Sequence, residues 1–85
     1  MEIYYSTQFK KQFGKLPANI QKRFEERVEL FIKNPRNPIL KVHPLKGLLV
    51  GYRSFSVTGD FRVVYKHVKK DAVKLTYIGT HSQLY

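Results

Sequence analysis

Three runs between Val50 and Ile78 decide the fold: Val50-Gly51-Tyr52-Arg53-Ser54-Phe55-Ser56-Val57, Phe61-Arg62-Val63-Val64-Tyr65-Lys66-His67-Val68 and Ala72-Val73-Lys74-Leu75-Thr76-Tyr77-Ile78. β-Branched and aromatic residues crowd all three, as a half-buried pleated surface requires. Thr58-Gly59-Asp60 joins the first pair and Lys69-Lys70-Asp71 the second. Connections this short join antiparallel neighbours, because a parallel pair needs a crossover of a dozen residues or more. The region predicts consecutive β-hairpins.

Upstream, the pattern changes from strand to helix. Glu2 to Tyr5 reads as a short first strand, and Ser6 or Thr7 is a candidate N-cap for a helix carrying Phe9, Phe13 and Leu16 and ending near Gly14 or Lys15. Pro17 opens a second helix. Its apolar stripe is Ile20, Phe24, Val28, Phe31 and Ile32, and Asn34-Pro35 stops it. Residues 35–47 contain Pro35, Pro38 and Pro44 and end at Gly47, which predicts an ordered connector. The expected fold class is α+β: a small antiparallel β-sheet packed against two N-terminal helices, in a single domain over residues 1–85.

Composition narrows the function. The 85 residues include 16 Lys and Arg against six Asp and Glu, a net charge of +10. Residues 1–32 carry a net +2 and residues 33–85 a net +8, so the excess falls on the sheet half. Such a surface concentrates polyanions, nucleic acid above all. The absence of cysteine excludes disulfides and thiolate metal sites. The longest strictly aliphatic run, Leu48-Leu49-Val50, is far too short for a membrane span, and no secretory leader is recognisable around Ile3-Tyr4-Tyr5. A cytoplasmic location without membrane association is the expectation.

Gly79-Thr80-His81-Ser82-Gln83-Leu84-Tyr85 then puts a proton-exchanging imidazole just past the last strand. Together with His43-Pro44-Leu45-Lys46-Gly47, Gly51-Tyr52-Arg53 and Asp60-Phe61-Arg62-Val63-Val64-Tyr65, in that order and spacing, this segment resembles the RelE/ParE toxin superfamily of bacterial toxin–antitoxin systems. The closest likeness is to its YafQ-type branch, and it covers essentially the whole chain.

The resemblance implies the same helix-flanked sheet. It also implies a ribosome-dependent endoribonuclease that cuts mRNA in the ribosomal A site, with no cofactor or metal, by attack of the ribose 2′-oxygen on the adjacent phosphorus. A cognate antitoxin, small and acidic, is the implied protein partner. A gyrase inhibitor of ParE type on the same fold, or a catalytically degenerate RNA-binding homologue, are the alternatives.

Residue roles follow from the same resemblance. His81 is the candidate general acid. His43 is the candidate base or phosphate holder. Asp60 would orient an imidazole or take the 2′-hydroxyl proton. Arg53, with its permanent charge and forked guanidinium, is the candidate for neutralising the phosphorane. Phe61 and Tyr85 would stack on bases, and Arg62, Lys46 and Lys41 would add phosphate contacts. His67 matches no family site and reads as structural. The branch's pattern has a histidine where this chain has Ser56, and a serine hydroxyl cannot serve as acid or base near neutral pH.

Overall fold

A computed structural model describes residues 1–84. The element order is β1 (Glu2–Tyr5), α1 (Thr7–Gly14), α2 (Ala18–Lys33), β2 (His43–Pro44), β3 (Arg53–Ser56), β4 (Phe61–Lys69), β5 (Ala72–Thr80) and α3 (His81–Leu84). The five strands form one sheet in the order β1-β5-β4-β3-β2.

The two predicted hairpins are present, with Phe55 opposite Val63 and Val63 opposite Ile78. The sheet is not wholly antiparallel, because β1 pairs with β5 in parallel, Ile3 opposite Val73. The helical pair between β1 and the rest supplies the crossover that a parallel neighbour needs. The strand expected from Val50 begins only at Arg53. Val50 and Gly51 form a turn instead, with Gly51 at φ +92°, a conformation open to glycine at little cost.

Both helices lie on one sheet face. Ser6 caps α1, accepting from Phe9 N at 2.9 Å, and its hydroxyl donates to Thr76 O at 2.7 Å. Thr76 is the extra residue of a β-bulge, since Tyr65 opposes Leu75 while Val64 opposes Tyr77. The helix cap therefore satisfies a carbonyl that the bulge takes out of the ladder. From α2, Phe24 and Phe31 are buried, whereas Ile32 is exposed and falls outside the buried stripe. Phe31 stacks on Phe55 at 4.8 Å and meets Tyr65 edge-on at 4.9 Å. Phe9, Phe13 and Phe24 form a second aromatic group, each ring within 5.9 Å of the next. These side chains, with Val57, Val73, Leu75 and Ile78, are the core.

The proline-rich connector is ordered, as expected, and holds more structure than a loop. A 3₁₀ turn over Pro38–Leu40 buries Leu40 completely. Arg27 of α2 ties it down by donating to Ile39 O and Ser56 O, each at 3.3 Å.

Candidate functional site

Strand parity separates a sheet face under the helices from one turned away from them. Phe55, Val63, Tyr65 and Ile78 point into the helix-covered core, so their neighbours Ser54, Ser56, Arg62, Val64, Tyr77 and Gly79 face the other way. His43 pairs with Ser54 and shares this face, on which Ser54, Ser56, Val64 and Gly79 are buried and Arg62 and Tyr77 half-buried. One row across the sheet reads His43, Ser54, Val64, Tyr77, and the next reads Ser56, Arg62, Gly79.

His43 stands exposed at the β2 margin. Its Nδ1 lies 3.0 Å from Lys41 O. A carbonyl oxygen only accepts, so Nδ1 carries the proton, and the neutral ring keeps its lone pair on Nε2. Lys41 holds that carbonyl in place from a left-handed conformation, φ +50°, which is uncommon for a residue with a Cβ. Lys46 follows where the chain turns back, and both lysines are exposed.

Arg62 occupies the middle of the face. It is half-buried, and its Nε is fully buried with no hydrogen-bond partner among the described residues. Leaving such a donor unpaired costs about 1–3 kcal/mol. Among the described residues, no carboxylate lies in ion-pair contact with Arg62, Arg53, Lys41 or Lys46. Ser54 Oγ, beside His43 in the same row, is also buried without a hydrogen-bond partner among the described residues. Ser56, at the family's histidine position, is only 6% exposed, and its hydroxyl donates to Thr58 O at 2.7 Å.

Asp60 and His81 meet at the end of the β4–β5 pair. His81 N donates to Asp60 O at 3.2 Å, which fixes the start of α3 against the β3–β4 turn. That turn is pinned by Thr58 Oγ1, which accepts from Asp60 N and Phe61 N. The tail that sequence reasoning left without structure is a short helix closed by a capping box. Thr80 N donates to Gln83 Oε1 at 2.9 Å, and Gln83 N donates to Thr80 Oγ1 at 3.3 Å. The Thr80-x-x-Gln83 spacing was the available signal. Gly79 makes room for it, because a Cβ there would stand 2.8 Å from Gln83 Oε1.

Two expected site residues lie elsewhere. Arg53 shares the parity of Phe55, opposes Tyr65, and lines a recess with Pro35, Arg36 and Lys41 on the helix side. Phe61 packs half-buried against the core rather than on the face turned away from the helices. Tyr85 is outside the described residues. His67 meets Tyr65 edge-on at 6.2 Å. Sequence reasoning passed over Tyr77 and Gln12, which line a groove together with Lys46 and Gln83.

Among the described residues, no helix is long and apolar enough to cross a membrane. Comparison with curated proteins finds no match. Solved structures do match. YafQ from E. coli strain BL21(DE3) superposes with a TM-score of 0.82 at 28% identity, covering 99% of this chain and 97% of that one. The E. coli DinJ–YafQ toxin–antitoxin complex gives 0.79 at 28% identity, covering 99% and 96%. A YoeB/ParE toxin from Agrobacterium tumefaciens, at 19% identity and TM-score 0.78 over 95% of this chain and 99% of that one, bears on the fold alone. The family model of YafQ, the bacterial toxin of type II toxin–antitoxin systems, matches residues 1–85, and the chain belongs to that family.

Proposed function

We propose that this toxin is a ribosome-dependent endoribonuclease whose reacting phosphate lies beside Arg62, on the sheet face turned away from the helices. The observation that supports this reading is the set of groups at this end of the sheet: His43, held through Nδ1, Arg62, whose buried Nε has no hydrogen-bond partner among the described residues, and His81, whose backbone N–H is tied to Asp60 O. β2 and β5 are three strand spacings apart, about 14 Å, with Arg62 on a strand between them.

In this reading His43 Nε2 takes the 2′-hydroxyl proton. The 2′-oxygen bonds to phosphorus, the bond from phosphorus to the 5′-oxygen breaks, and His81 gives that oxygen its proton. The products are a 2′,3′-cyclic phosphate and a 5′-hydroxyl. Arg62 replaces Arg53 as the group that neutralises the phosphorane, since Arg53 faces the helix side. Asp60 orients His81, and Lys46 holds a neighbouring phosphate, whereas Lys41 lines the helix-side recess with Arg53.

An acidic antitoxin is the proposed protein partner, by likeness to the DinJ-bound E. coli YafQ and by the complementarity of a +10 charge. Ser56 supports the reading of a binder without catalysis, because the family histidine is gone and the hydroxyl is committed to Thr58 O. A ribosome-bound mRNA with a single 2′-deoxy nucleotide at the cut site separates the two. The ribonuclease reading expects cutting of the all-ribose message and none of the substituted one. Equal cutting of both, or binding without cutting of either, contradicts it.

A further inference from the structure

Beside the proposed phosphate site lies a groove of about 520 Å³, within the range of small-ligand sites. Its apolar wall is Tyr77, Leu48, Leu49 and Leu84, and Leu48 at its rim is fully exposed. Its polar lining is Gln12, Gln83 and Lys46. Tyr77 stands two residues along β5 from Gly79, the neighbour of Arg62, so the groove begins one row from the proposed phosphate. A flat ring between a tyrosine and leucines is how single-stranded RNA bases are held.

The polar lining has one chemical sense. Gln12 Oε1 accepts from Ile78 N at 2.9 Å, and Gln83 Oε1 accepts from Thr80 N at 2.9 Å. Backbone N–H groups only donate, so both amide oxygens are fixed in place and occupied. Each glutamine is left with its NH₂ group, and Lys46 adds an ammonium. All three side chains line the groove, and Gln12 and Gln83 also line a neighbouring recess with Leu16, Pro17 and Phe61; an amide of either turned to the groove offers it donors. Guanine carries two adjacent acceptors, N7 and O6, on one edge, whereas adenine sets the N6 donor beside N7.

We infer that this groove is a base-specificity subsite that takes a guanine next to the cut, reading its N7 and O6 through the amide groups of Gln12 and Gln83. The inference rests on the ribonuclease reading above.

The test uses ribosome-bound messages that differ only in the nucleotide on one side of the cut, then only on the other. The wild-type protein is expected to cut a guanine-flanked site about tenfold faster than the adenine-flanked one at one of these positions. Replacing that guanine by 7-deazaguanine, which lacks N7, is expected to remove most of the advantage with the protein unaltered. Gln83→Glu keeps an acceptor for Thr80 N, and thus the cap, but turns the free donor into an acceptor. It is expected to shift the preference towards adenine.

Cutting by the wild-type protein that is indifferent to guanine, adenine and 7-deazaguanine overturns the subsite and leaves the ribonuclease reading standing. The subsite is equally overturned if Gln83→Glu cuts with unaltered preference while losing antitoxin binding, since the groove then holds an antitoxin side chain. No cutting of any message by the wild-type protein overturns both.

Discussion

Arg53 and Arg62 sit on adjacent strands and face opposite sides of one sheet, and for that reason the proposed mechanism gives the site's positive charge to Arg62. Parity against Phe55 and Val63 would have revealed it, but the Gly51-Tyr52-Arg53 likeness drew the role to Arg53. Arg62→Ala is expected to slow cleavage by about 10²- to 10³-fold, the range for removing a preorganised transition-state donor. Arg53→Ala is expected to cost at least tenfold less, and single-turnover rates on ribosome-bound mRNA decide between them. Tyr65 gives a second prediction. Burial pushes its hydroxyl pKa above the ordinary 10.0, while the Arg53 charge pulls the other way. The folded protein then holds that proton to higher pH than the unfolded chain, so this contribution is complete below about pH 10 and disappears as pH rises through the folded value. Denaturant unfolding across alkaline pH is expected to show a fall in stability that is shallower in Tyr65→Phe.

The elements divide by how local their causes are. The β3–β4 and β4–β5 hairpins, the Ser6-capped α1 and the α2 that follows Pro17 were legible, because alternation, turn residues and the Phe24–Phe31 stripe are short-range signals. The parallel seat of β1 was not, because Ile3 and Val73 are brought together only by packing the intervening helices. Nor was the two-residue β2, whose pairing depends on where the connector lands. The bulge at Thr76 sets which face Tyr77 joins and leaves no clear mark in the local pattern. Helix α3 was legible in its capping spacing, yet its four residues are too few to show a helical period. Such a short helix depends on its cap: Thr80→Ala is expected to weaken it by about 1 kcal/mol. Hydrogen exchange of the amides at Gln83 and Leu84 checks this, with faster exchange expected while the sheet amides stay protected. Gly79→Ala is expected to act the same way by displacing the Gln83 carboxamide.

For the whole molecule, one core and one strongly charged surface have separate duties. Phe31 joins α2 to β3 and β4 through Phe55 and Tyr65, so Phe31→Ala is expected to cost about 3–5 kcal/mol. In a domain of this size that lowers Tm by roughly 12 °C or more, readable by circular dichroism. The net charge of +10, concentrated beyond residue 32, was legible from composition and predicts that RNA binding weakens steeply as salt rises. What composition could not say is whether the bound RNA is cut. The most direct measurement is the chemistry of the message's 3′ end after incubation of ribosome-bound mRNA with the wild-type protein and with His81→Ala. A 2′,3′-cyclic phosphate or its 3′-phosphate product from the wild type, with at least a roughly 100-fold slower rate in His81→Ala, is the predicted result. A 3′-hydroxyl end, or an intact message on ribosomes that an active toxin of this family does cut, would contradict it.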